Sequence, residues 1–251
     1  TPRVRFTFQL YMEELLGLDL KFTPSADEFT ASDGAKINYS KQAFDSEPFF
    51  YCHQLLFERG VHEVDAQFFE WEGLPAFFST ISSSIWPFDP FAAGFYLVTR
   101  YEEYLPFIKD IHSRFPAEQS FAFKNGFLQQ PVVNQWAKKL GEVLVEYFPG
   151  LKVQPPQYRF LPTYDVDIAW SYRHKGVFRT MGGYWNSLRK ADVQDIVNRT
   201  AVLTGLRKDP FVTYDYLKNL QDRYQLDPIY FFILGDYDEF DKNISHENSD
   251  F

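Results

Sequence analysis

The sequence predicts an α/β protein built in two parts, and three observations carry that prediction. Two β-forming runs late in the chain, Tyr158–Tyr164 and Ile229–Leu234, are separated by helix-forming sequence, the βαβ pattern of a parallel sheet. A stiff connector, Gln154-Pro155-Pro156-Gln157, sets that stretch apart from what precedes it. The preceding residues alternate short helix and strand signals and close on the strongest helix pattern of the chain, 131–147. The expectation is an N-terminal α/β domain over 1–152 and a second domain over 153–251. A chain of 251 residues has length enough for both.

Taken in order, residues 5–16 read as a helix, with Phe8, Tyr11, Met12, Leu15 and Leu16 three and four apart, and Gly17 as its stop. Leu18–Thr23 alternates and predicts a strand. A short turn or helix over Ser25–Phe29 precedes an Asp33-Gly34 turn and a strand near Lys36–Tyr39. Residues 49–58 fit strand or helix. Glu72-Gly73 between Gln67–Trp71 and Leu74–Phe78 is a hairpin signal. Ser82–Ser84 and Pro87–Pro90 read as loop, Phe91–Tyr104 as a helix ended by Pro106, and Phe115–Gln130 mostly as loop. Pro131 suits the first turn of the 131–147 helix. Val132, Val133, Trp136, Leu140, Val143, Leu144 and Tyr147 line one side of it, and Pro149-Gly150 ends it. Beyond the connector, residues 168–210 read as a glycine-punctuated excursion with one helix near 191–203. Thr213 opens a helix to Tyr224, and the apolar run Ile229–Leu234 reads as a strand buried on both faces.

Composition narrows the partners. The net charge is −9 and no long Lys/Arg run occurs, so nucleic acid and anionic membrane are poor partners for the chain as a whole. One local exception, Tyr172–Arg179, has the residues to meet a phosphate or an acidic sugar, or else reads as a solvated loop. Aromatic residues make up 20% of the chain, which serves a packed core first and a sugar-stacking surface second. The single cysteine, Cys52, lies in an apolar run and reads as an inert buried thiol. No apolar stretch has the length of a membrane span and no signal peptide is visible, so a cytoplasmic protein is expected.

The chemistry concentrates at Thr163-Tyr164-Asp165-Val166-Asp167. Two carboxylates two residues apart end a strand, where α/β folds place their chemistry. One can hold a metal while the other moves a proton. The alternative is structural: strand-end aspartates often cap the next turn through their own main chain. Asp236 and Asp238, after the second strand, would lie at the same rim, or simply form a polar turn.

The five-residue motif, the helix that follows it and the run Pro228–Asp236 resemble the polysaccharide deacetylases of the nodulation-protein homology class, carbohydrate esterase family four. The resemblance covers the chain from about residue 155. It implies that 153–251 begins a deacetylase-like (β/α) barrel, left incomplete, behind an N-terminal α/β domain with no assigned activity. It implies hydrolysis of N- or O-acetyl groups on a carbohydrate substrate. Asp165 would be the catalytic base and Asp167 a metal ligand, with a divalent ion, zinc first, lowering the pKa of a bound water. The family's two histidines, spaced His-x-x-x-His, are missing among His53, His62, His112, His174 and His246, and so is its later arginine motif. The chain is therefore expected to be truncated and inactive as it stands, with the exposed edge of the second strand covered by a second copy. The main competitor is a non-catalytic glycan- or protein-binding module whose aromatic residues, Trp71 and Trp86 among them, bind the ligand. A phosphate enzyme using the Asp pair for magnesium is disfavoured because no glycine-rich loop follows either strand.

Overall fold

A computed structural model describes residues 1–44 and 46–233. The chain divides into two compact units, Thr1–Gln157 and Tyr158–Phe251. Among the described residues the sheets are three separate strand pairs, and no closed barrel forms.

In the first unit, α1 (Pro2–Phe8) starts with Pro2 in its first turn and with the Thr1 hydroxyl accepting from the Val4 amide. It widens into a π-helical segment over Gln9–Leu15. Gly17 ends it at φ 64°, and a Cβ there would lie 2.4 Å from the Gln154 carbonyl oxygen. The Gln154 amide in turn donates to the Leu16 carbonyl at 2.8 Å, so this helix end is pinned by the start of the connector. The predicted strand at 18–23 does not form. Leu18 and Leu20 pack against the core with no partner strand, so their alternation reports one-sided burial rather than ladder pairing.

Helix α2 (Ala26–Ala31) follows, capped by the Ser25 hydroxyl. Strands β1 (Asn38–Ser40) and β2 (Phe49–Tyr51) pair in parallel, Tyr39 opposite Phe50. The hairpin predicted at Glu72-Gly73 forms between β3 (Phe69–Trp71) and β4 (Leu74–Ala76). Both turn residues have positive φ, 50° and 74°, as a two-residue turn matching strand twist requires. Helix α3 (Pro90–Val98) starts one residue earlier than predicted and stops sooner, because Arg100 turns left-handed at φ 52°. A short α4 (Phe121–Lys124), capped by Ser120, interrupts what reads as loop. Helix α5 (Val132–Tyr147) is the predicted one, with Trp136, Leu140 and Leu144 buried.

Phe91 of α3 stands at the centre of this core. Phe8 stacks on it at 4.1 Å, and Tyr11, Tyr39 and Phe50 close round it at 5.2–5.3 Å. Trp136 reaches in from α5, and its indole N–H donates to the Pro75 carbonyl at 3.0 Å. The aromatic surplus of this unit is thus largely core, where offset and edge-on ring pairs add to the apolar burial. Trp86, a candidate sugar platform, is 2% exposed and offers no face to a ligand. Trp71 is half-buried against it, ring centroids 4.8 Å apart.

In the second unit, β5 (Thr163–Val166) pairs in parallel with β6 (Ile229–Phe232) through α6 (Gly176–Arg189), α7 (Val193–Leu203) and α8 (Tyr214–Tyr224). Three sequence expectations change here. The first strand starts at Thr163 rather than Tyr158, because Tyr158, Phe160 and Leu161 are exposed and nothing buries them into a ladder. Helix α6 was hidden by its glycines. The strand at 229–234 is not buried on both faces: Ile229, Phe231 and Phe232 are exposed, since β6 has one neighbouring strand among the described residues. Leu234 lies outside them. Thr213 sits at the start of α8, yet its side chain makes no capping bond. Asp192, by contrast, caps α7 by accepting from the Asp195 amide at 2.9 Å. Among the described residues of this unit, only Ala169, Ser187, Val202 and Asp209 are buried.

Candidate functional site

The parallel register fixes where the two aspartates stand. Asp165 lies in β5 opposite Phe231, and Asp167 follows one residue past the strand's end. Side chains alternate along a strand, so Thr163 and Asp165 share one face, with Ile229 and Phe231 beside them, and Asp167 stands in the bend that follows. The opposite face carries Tyr164 stacked on Tyr230 at 4.9 Å, and Gln221 of α8 donates to the Tyr230 hydroxyl at 2.6 Å. That bond anchors α8 on the tyrosine face. The aspartate face is exposed, Phe231 by 54%.

Asp165 and Asp167 are both exposed, and among the described residues neither carboxylate has a hydrogen-bond or ion-pair partner. They are therefore not the main-chain caps that the structural alternative requires. Among the described residues they do not complete a metal site. No group of three or more His, Cys, Asp or Glu side chains gathers among the described residues. His174 comes nearest in sequence, but its ring packs on Trp170 at 4.5 Å, and its backbone is left-handed at φ 56°. His53, His62 and His112 belong to the other unit, and His246, Asp236 and Asp238 lie outside the described residues. The present residues thus supply two carboxylates and no closed ligand set for zinc.

The loop after Asp167 is rigid for a reason the sequence did not reveal. Asp209, 3% exposed, accepts from the amides of Ser171, Tyr172, Arg173 and Phe211 at 2.8–3.1 Å. Burial alone would raise its carboxyl; the four amides outweigh that and hold it below the ordinary range. Beyond it, Asp195 accepts from the hydroxyls of Tyr172 and Ser187 and pairs with Arg199 at 3.0 Å. The Arg199 guanidinium lies 4.9 Å from the Tyr172 ring and 5.5 Å from the Tyr184 ring. These bonds fasten α6 to α7 and hold the loop that leaves the aspartate strand. Replacing Asp209 by Ala leaves three successive loop amides without their acceptor. The expected cost is about 2–4 kcal/mol, from unpaired buried amides, read as faster amide exchange at 171–173. Unchanged exchange there would show that the loop is held by something else.

In the first unit, a cavity of about 270 Å³ opens between α3 and the segment 115–128, lined by Tyr96, Leu97, Arg100, Glu102, Phe115 and Leu128. The Glu102 carboxylate is already committed to the Phe121 amide at 2.8 Å. His53 is stacked on Phe78 at 4.4 Å with its Nδ1 accepting from the Leu55 amide. Cys52 is buried, and burial pushes its thiol up, away from the reactive thiolate.

Fold and site together define a two-unit α/β protein with an exposed carboxylate pair on a parallel strand. The chain belongs to a family of unknown function (DUF7033), which matches residues 1–149. That match covers most of the first unit and stops before the carboxylate strand. No curated protein and no solved structure matches the chain.

Proposed function

We propose that the second unit carries part of the active site of a metal-dependent carbohydrate deacetylase, acting on N- or O-acetyl groups. One observation carries the reading: Asp165 at the end of a parallel strand and Asp167 in the bend after it are both exposed, and among the described residues neither is bound to a main-chain amide. Exposed carboxylates without partners cost little and do nothing for the fold, so their placement at a strand end suits chemistry better than packing. Asp165 is the proton acceptor for a water attacking the acetyl carbonyl. Acetate then leaves, and the freed amine or hydroxyl takes up a proton. Asp167 would offer one carboxylate to a divalent ion, which when bound would lower the pKa of a water and polarise the acetyl carbonyl. The apolar floor beside the pair, Ile229 and Phe231, is a surface on which the acetyl methyl can rest.

The chain is to be titrated with an N-acetylated oligosaccharide while the side-chain carboxyl carbons are followed by NMR, with Asp→Asn variants giving the assignments. The resonances of Asp165 and Asp167 are expected to move together, while those of Asp195 and Asp209 stay put. Movement elsewhere, with the pair unmoved, contradicts the reading.

A further inference from the structure

Helix α6 is packed the wrong way round for a core helix. The side it turns to α7 is small and polar: Ser187 is buried and bonded to Asp195, and Gly183 faces Arg199 so closely that a Cβ would lie 2.4 Å from a guanidinium nitrogen. Its apolar stripe, Val177, Phe178, Met181, Trp185 and Leu188, follows helical spacing and faces solvent. Phe178 is 93% exposed and Trp185 71%. We infer that α6 is an interfacial helix that seats this unit on an anionic bilayer surface.

Charge selects that occupant. Between Asp167 and Asp192 the chain has no Asp or Glu, yet it carries Arg173 and Lys175 before the helix and the exposed Arg189 and Lys190 at its end. The whole chain is at −9, so the remainder is more acidic still, and this acid-free stretch stands out against it. Trp and Phe with aliphatic side chains on one face, and Lys and Arg around it, are what a helix lying in the headgroup layer needs: the rings and methyls enter the acyl boundary while the cations meet lipid phosphates. The helix has 14 residues, a length of about 21 Å, so it lies on the bilayer rather than crossing it. The low opinion of anionic membranes that net charge gives holds for the chain as a whole and not for this segment. The inference is independent of the carboxylate pair.

The test is co-sedimentation of the chain with vesicles of phosphatidylcholine alone and of phosphatidylcholine with phosphatidylglycerol in equal parts. Binding is expected on the anionic vesicles, weakened by added salt. It is expected to fall roughly tenfold or more in Phe178→Ser and Trp185→Ser, given the apolar area each ring buries, and also in the double variant Arg189→Glu/Lys190→Glu. Tyr216→Ser, an exposed ring on α8, is expected to bind as the parent does. All these side chains are exposed, so circular dichroism should report the same fold throughout. Absence of anionic-vesicle binding overturns the inference, as does binding that ignores the α6 substitutions. Self-association abolished by Trp185→Ser, without vesicle binding, also overturns it and assigns the stripe to a second copy of the chain.

Discussion

Replacing Asp89 by Ala is expected to destabilise the first unit more than any other single substitution considered. Asp89 is completely buried and caps α3, accepting from the Phe91 and Ala92 amides at 2.9 and 3.0 Å on one oxygen. Its other oxygen accepts from the Tyr39 hydroxyl and the His53 amide, both at 2.7 Å. One carboxylate thus ties the central helix to β1 and to the segment after β2. Truncation removes a cap, worth about 1–2 kcal/mol, and strands further buried donors at about 1–3 kcal/mol each. The sum, on the order of 4 kcal/mol or more, is a large share of the 5–15 kcal/mol that holds a typical domain together. A thermal melt should fall by roughly 10 °C or more. A shift of a degree or two would show that the four bonds are dispensable.

The same carboxyl has a pH signature. Burial raises its pKa to about 6 although Tyr39 and three amides pull it down. The folded chain then takes up this proton more readily than the unfolded chain, whose aspartate titrates near 4. The stabilisation from protonating Asp89 is fully present below about pH 4, is lost as pH rises toward 6, and stays lost above. The shift of about two units corresponds to about 3 kcal/mol. His53, whose pKa is lowered by burial first and by Lys41 second, works in the opposite sense, losing stability as pH falls below its unfolded value. Burial pushes Tyr39, Tyr11 and Cys52 upward, out of this window. Asp89→Asn isolates the aspartate: the stability difference between parent and variant should vary from pH 4 to 7 by up to about 3 kcal/mol. A constant difference would mean that Asp89 stays ionised throughout.

What the sequence disclosed and what it withheld divide along physical lines. The Glu72-Gly73 hairpin and the α5 helix were legible because local rules decide them: a turn needing two positive φ angles, and an apolar stripe at helical spacing behind Pro131. The parallel pairing of β5 with β6 followed from two β-forming runs joined through helix. Asp89 was read as loop, although Asp followed by Pro is a helix start, because its weight comes from Tyr39 and His53, both far away in sequence. Helix α6 was missed because Gly176, Gly182 and Gly183 looked like punctuation, whereas Gly183 serves to admit Arg199. The aspartate pair was legible as a motif. That it lacks a third ligand among the described residues, and that Asp209 stiffens the loop behind it, are facts of tertiary contact.

The central claim, that Asp165 and Asp167 belong to a hydrolytic centre, is tested most directly by acetate release. The assay uses the protein with zinc supplied, and N- and O-acetylated oligosaccharides as substrates. A carboxylate base contributes about 10²–10⁴ to such a rate. Asp165→Asn keeps the shape of the exposed side chain and removes its basicity, so the fold should be untouched while acetate release falls by about that factor. Equal rates from parent and variant, or no acetate from either, would contradict the account.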